Sequence, residues 1–133
     1  MIGITVAANG GLAEELAAAA LRILGPQECF SAAGINPGST LPEDASRISA
    51  AVSGFGPGCG ELLILTDLHG STPTHAALAF AQGRAGPVAV LSGANLAMVV
   101  SALSHRDSLP LSKLAEKAAQ DARRSIRAAS TQL

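Results

Sequence analysis

Ile2, Ile4 and Val6 alternate with Gly3 and Thr5, and the chain then meets Asn9-Gly10-Gly11. A period of two that ends in turn-forming residues predicts a strand and a loop. The period then lengthens. Leu12, Leu16, Ala20 and Ile23 recur at helical spacing, Glu14 and Glu15 fall in the first turn, and Gly25-Pro26 stops the element. Cys29 to Gly34 reads as a weak second strand, and Asn36-Pro37-Gly38-Ser39 as a turn. Pro42 suits a first helical position, with Glu43 and Asp44 behind it and Ile48, Val52 and Phe55 on the apolar side.

The unbroken apolar run Leu62-Leu63-Ile64-Leu65 predicts a strand covered on both faces. It ends at Thr66-Asp67-Leu68-His69-Gly70-Ser71-Thr72-Pro73, where Thr72 suits a helix cap and Pro73 the first turn. Val88 to Leu91 repeats the strand signal. Ser92-Gly93-Ala94-Asn95 then leads into a helix with Leu96, Val99, Val100 and Leu103 on one face. A last helix from Ser112 would turn Leu114, Ala118, Ala122 and Ile126 inward. Strands alternating with helical crossovers imply an α/β, doubly wound, mainly parallel sheet of four to five strands with helices on both faces. No repeat or linker divides the chain, so residues 1–133 are expected to form one domain.

Composition sharpens this picture. Apolar residues make up 48% of the chain, yet there are three Phe, no Trp and no Tyr. The core must therefore be built from small side chains, which leaves few aromatic platforms for bases or sugars. A net charge of −1, with nine Lys and Arg, argues against nucleic acid or an anionic membrane as a partner. No apolar stretch approaches the roughly 20 residues that span a bilayer, so no direct membrane insertion is expected. Met1-Ile2-Gly3-Ile4 opens on a strand without a basic lead, unlike a signal peptide, which points to the cytoplasm. Cys29 and Cys59 have no CxxC spacing and read as two structural thiols in a reducing compartment.

In a parallel sheet, ligands bind outside the carboxyl ends of the strands, where strand order reverses. Three loops rich in Gly, Asn, Asp, Ser and Thr are predicted on that edge: Asn9 to Gly11, Asp67 to Thr72, and Ser92 to Asn95. Helix N-termini there present N–H groups, and Gly10 and Gly70 let an anion approach the backbone. Such residues are also ordinary turn and cap chemistry, so the pattern alone leaves both readings open. Gly54-Phe55-Gly56-Pro57-Gly58-Cys59-Gly60 precedes a strand instead of following one, which makes it a connection, not a nucleotide loop. Asp67, His69 and His75 match no established metal spacing, and no metal or cofactor is called for. His105, followed by Arg106 and Asp107 at a helix end, reads as solvated or facing the helix dipole. A receiver domain phosphorylated on Asp67 would need an acidic pair after the first strand, and Asn9-Gly10-Gly11 supplies none.

Ile4 to Leu16 (ITVAANGGLAEEL), Leu63 to Pro73 (LILTDLHGSTP) and Leu91 to Val99 (LSGANLAMV) agree in order and spacing with one family. Over nearly its whole length the chain resembles the IIA domain of the mannose-type bacterial phosphotransferase system. The resemblance implies a doubly wound homodimer. Its partners would be the histidine-containing phosphocarrier protein, which donates a phosphoryl group, and a IIB domain, which receives it during sugar uptake. It also implies a phosphoacceptor His in the first loop, where this chain has Asn9, and an orienting acid, which is Asp67. An imidazole nitrogen has a lone pair to offer phosphorus, whereas the carboxamide nitrogen of Asn9 is delocalised into its carbonyl. The family's Gly-Gly-Ser-Pro becomes Gly70-Ser71-Thr72-Pro73, with Thr72 keeping the phosphate-facing hydroxyl. His69 is the replacement acceptor to consider, and packing in an aromatic slot is its bland alternative. His75 stands where an Asn is common. Three expectations stay open: a carrier with a degenerate acceptor position, a phosphorylation-deaf regulatory or anion-binding module, and an active carrier using His69. The segment from Ser104 to Ser112 is a candidate for an exchanged edge strand between protomers, although Pro110 interrupts it.

Overall fold

The computed structural model describes residues 1–130. Its elements run β1 (Gly3–Asn9), α1 (Leu12–Leu24), β2 (Phe30–Ile35), α2 (Leu41–Val52), β3 (Leu62–Thr66), α3 (Thr72–Gly83), β4 (Val88–Ser92), α4 (Leu96–His105) and α5 (Leu111–Arg124). The four strands form one sheet in the order β2-β1-β3-β4, and every neighbouring pair is parallel. Strand order reverses between β1 and β3, because the crossover from β1 runs to β2 on one side and the chain returns past β1 to β3. The carboxyl ends of β1 and β3 therefore flank the switch point of the doubly wound sheet.

Side-chain alternation sorts the core into two layers. Ile4, Val6, Ala8, Leu63 and Leu65 face α1, α4 and α5, where Ala13, Ala20, Met98, Val99, Leu103, Leu114 and Ala118 meet them. Ala7, Ala33 and Ile64 face the opposite way, against Ile48 of α2 and Ala76 and Ala77 of α3. Alanine on both the helices and the sheet brings those layers close, as the composition requires.

Several sequence expectations change. Asn9 is the last residue of β1, paired with Ile35, and not the first residue of a loop. In α1 the buried residues are Ala13, Ala17 and Ala20, while Leu12 and Ile23 are exposed. The buried face is carried by the alanines, with Leu16 and Leu24 packed partly buried against the core beside them. Ile126 lies beyond the end of α5 and is 80% exposed, so it is not part of the core. Phe55 follows the end of α2 and is only half-buried. The cap of α3 is Ser71, whose Oγ accepts from Thr74 N, and Thr72 is the first helical residue. Ser104 to Ser112 holds the end of α4, a turn and the start of α5, and no strand.

The amino-terminal edge of the sheet departs furthest from expectation. Cys29 and Cys59 form a disulfide, with their Cα atoms 6.5 Å apart, and are not two free thiols. They lie just before β2 and β3, the two strands that flank β1, so the fold gathers at one edge residues that are 30 positions apart. Arg106, next to His105, is buried. It is 4% exposed, and its guanidinium donates to Ile2 O at 3.3 Å, Cys29 O at 3.2 Å and Gln27 Oε1 at 3.0 Å. Burial pushes its pKa down, while the charges of Asp107 and Glu28 oppose that change. His105 turns back on its own helix, with Nδ1 2.9 Å from Ser101 O.

Candidate functional site

Asp67 follows the last residue of β3, at the switch point, and is 8% exposed. Each carboxylate oxygen receives two hydrogen bonds. Oδ2 accepts from Asn9 N at 2.9 Å and from Asn9 Nδ2 at 2.8 Å. Oδ1 accepts from Leu68 N at 2.7 Å and from Ser71 Oγ at 2.8 Å. Burial alone would raise the pKa of this carboxyl. The bonds from Asn9 N, Ser71 Oγ, Leu68 N and Asn9 Nδ2 outweigh it, so the group lies below its ordinary value and is held as the anion.

These contacts follow from local sequence. The parallel β1–β3 register aligns Ala7 with Thr66, which carries the next residues of both strands over the same edge. Gly10 then turns with φ +60, and Gly70 with φ +77, a region where a side chain is strained. Gly34 approaches so closely that a Cβ there would lie 2.8 Å from Gly10 O. Beneath the loop, Thr74 Oγ1 donates to Leu68 O at 2.7 Å and shares a second hydrogen bond with Thr66 Oγ1 at 2.7 Å. The loop after β3 is therefore anchored by hydroxyls on α3.

The predicted site residues do not all play the parts expected of them. Asn9 and Asp67 meet directly, as the sequence reading requires. Gly10 N–H donates to Ile35 O and is not available to a ligand. Ser71 Oγ is committed both to Asp67 and to capping α3. The N–H groups of Gly11, Gly70 and Thr72 have no hydrogen-bond partner among the described residues. Thr72 is exposed at the first turn of α3. His69 is exposed and does not contact Asp67; its Nδ1 lies 3.2 Å from Ser92 Oγ at the end of β4. His75 is exposed on α3. The third loop joins through its backbone, since Gly93 N and Ala94 N both donate to Thr66 O at 2.9 Å. Sequence reasoning missed this last tie and the pair of hydrogen bonds from Asn9 N and Nδ2 to one carboxylate oxygen, because neither has a spacing signal.

The carboxylate is thus fixed at the switch point, with donors from the end of β1 on it and the unpaired N–H groups of Gly11, Gly70 and Thr72 in the loops around it. The family model described as PTS system fructose IIA component matches residues 3–119. The chain belongs to that family. It is an enzyme IIA-like component of the sugar phosphotransferase system. A search of curated proteins finds no significant relative. Among solved structures, the phosphotransferase component EIIA from Streptococcus agalactiae is 26% identical, with TM-score 0.84 over 96% of this chain and 97% of that one. The mannose/sorbose-specific IIA subunit from Enterococcus faecalis shares the fold at 23% identity, with TM-score 0.78 over 97% and 95% of the two chains. The IIA protein associated with the fucose utilization operon of Streptococcus pneumoniae does so at 22% identity, with TM-score 0.71 over 98% and 94%.

Proposed function

We propose that this IIA-type chain docks onto the histidine-containing phosphocarrier protein and a IIB domain but forms no phosphoryl bond at residue 9. One observation carries the reading: the Asn9 carboxamide nitrogen donates to Asp67 Oδ2 at 2.8 Å. That nitrogen shares its electron pair with its carbonyl and faces the carboxylate with one of its two N–H groups, so it has no lone pair with which to attack phosphorus. Asn9 holds the Asp67 bond that an acceptor imidazole would need, and thus preserves the shape of the cradle without the nucleophile. The N–H groups of Gly11, Gly70 and Thr72 remain for an oxyanion, so a phosphoryl group on a partner can be contacted there without being transferred.

Exposed Leu12 and Leu68, at 45% and 66%, rim the cradle and suit a transient partner. A homodimer is the family's arrangement, and β4 offers a place for it. That strand is the sheet's edge, and its residues Val88 to Ser92 are all only half-buried. The partners place the chain's work in the cytoplasm, and no helix among the described residues is long and apolar enough to cross a membrane.

The decisive measurement is intact mass after incubation with phosphoenolpyruvate, enzyme I and the histidine phosphocarrier. No adduct is expected on the natural chain. An acid-labile phosphoryl adduct would overturn the proposal, and its loss in His69→Ala would assign it to His69. Asn9→His restores the nucleophile opposite Asp67, and uptake of one phosphoryl group is expected. A folded Asn9→His chain that takes up none would show that the docking surface has diverged as well.

A further inference from the structure

The opposite edge of the sheet carries chemistry that phosphoryl transfer does not use. Cys29 and Cys59 are bonded where β2 and β3 begin, on either side of β1. Cys29 has φ +50 and is the one non-glycine residue with positive φ among the described residues, a conformation that L side chains rarely adopt. Its carbonyl oxygen accepts from Ile4 N at 2.9 Å, at the start of β1, and from the buried Arg106 guanidinium at 3.2 Å. The sulfur bridge thus ends on a residue whose unusual backbone supports both the first strand and the one buried cation of this edge. Cys59 is buried at 7%, Cys29 is partly open, and a cavity of about 610 Å³ lies against both, rimmed by Glu28 and by Gly54, Gly56 and Gly58. Nothing lies within 4 Å of where a Cβ on Gly54, Gly56 or Gly58 would be, so the glycine side of the cavity is open, with Met1 and Glu28 on its rim.

We propose that Cys29–Cys59 is a thiol–disulfide exchange site for a dithiol reductant, and that opening it releases Cys29 and the start of β1. The inference leans on the cytoplasmic reading above at one point: a disulfide in a reducing compartment is typically transient or redox-sensing, not a permanent staple. In the exchange, a reductant thiolate attacks Cys29 Sγ, the more accessible sulfur. The sulfur–sulfur bond breaks, and Cys59 leaves as a thiolate that takes up a proton. The reductant's second thiol then attacks the mixed disulfide and expels Cys29 as a thiolate, which is also protonated. Two thiols remain on this chain, and the two electrons leave as a disulfide on the reductant. Freed of its bond, Cys29 can leave the left-handed region, and its carbonyl then loses the fixed positions of Ile4 N–H and Arg106.

The test uses the natural chain, purified in air and without phosphoryl donors, so its outcome is independent of the experiment on Asn9. Dithiothreitol is titrated in without denaturant, followed by alkylation and intact mass. Two alkyl groups are expected on the reduced chain and none on the oxidised one. Hydrogen exchange at the Ile4 amide should quicken by more than tenfold on reduction, while Leu63 to Leu65 in the central strand stay protected. The melting temperature should fall by about 10 °C. Alkylation of the air-purified chain would overturn the proposal, as would a disulfide that resists dithiol until denaturant is added. So would equal Ile4 exchange in the two redox states.

Discussion

The two ends of the sheet are built on opposite plans. At the carboxyl end, Asn9, Gly10, Leu68, His69 and Gly70 are exposed, and what order they have comes from hydrogen bonds, those converging on Asp67 and those from Gly10 N to Ile35 O and from Thr74 Oγ1 to Leu68 O. At the amino end the chain is locked by a covalent bond and by a guanidinium with three acceptors. Stability and function are thereby separated along strands only five to seven residues long. The end with the exposed loops is left open, and the end with the disulfide and the buried guanidinium holds the strands in register. Substitutions at the amino end should lower stability and leave the cradle's chemistry alone. At the carboxyl end the order of effects should reverse.

The largest effect is expected from removing the lock. Replacing both cysteines, Cys29→Ser with Cys59→Ser, frees a loop with a sequence separation of 30. The chain-entropy account then predicts a loss of about 3–4 kcal/mol in urea unfolding. Because β1 still pairs with β2 and β3 beyond its first residues, adduct formation by an Asn9→His chain should survive the double change. Arg106→Met comes next. It keeps the apolar stem but removes the guanidinium bonds to Ile2 O, Cys29 O and Gln27 Oε1, leaving Cys29 O with Ile4 N alone, at about 2–3 kcal/mol by the same measurement.

A matched pair of glycines sharpens the contrast. A Cβ on Gly3, at the amino end, meets the side-chain tips of Leu62 and Phe55 at 2.7 and 2.9 Å. A Cβ on Gly34, near the other end, meets the Gly10 carbonyl at 2.8 Å, which is backbone and cannot rotate away. Gly34→Ala should therefore push the turn after β1 and disturb the Asn9–Asp67 contact, at about 1–2 kcal/mol. The check is the amide resonances of Asn9 and Leu68, which should move in Gly34→Ala and stay in place in Gly3→Ala.

The same contrast explains what the sequence could reveal. The carboxyl end was legible because its parts are local: the Leu62 to Leu65 run, the glycines after β1 and β3, and three motifs in family order. Even there the cap was placed at Thr72 and not Ser71, since either hydroxyl suits a residue before Pro73. The amino end was almost silent. Its disulfide joins residues with no motif spacing, and nothing about Arg106 in sequence says that it is buried beneath two carbonyls. Helix faces were misread where alanine carried the burial, because Leu12 and Ile23 give a stronger apolar signal than Ala13 and Ala17 beneath them. Hydropathy ranks side chains by size, whereas a tightly packed sheet selects the small ones.

The smallest expected effect separates the charge of Asp67 from its shape. The folded chain holds this carboxyl below its ordinary pKa, so folding favours the anion. Its contribution to stability is therefore complete above the unfolded value of about 3.9, and is lost as pH falls through the lower folded value. Asp67→Asn removes that proton linkage while leaving a side chain of the same outline and an oxygen able to accept from Asn9. Urea midpoints measured between about pH 2 and pH 6 should fall less steeply on the acid side for the variant than for the natural chain. The two curves should run parallel above about pH 5. Parallel curves throughout would mean that the four donors do not favour the anion, and that the open end is held by shape alone. Adding Arg106→Met to both chains should shift the two curves down equally, since the groups lie at opposite edges and share no partner.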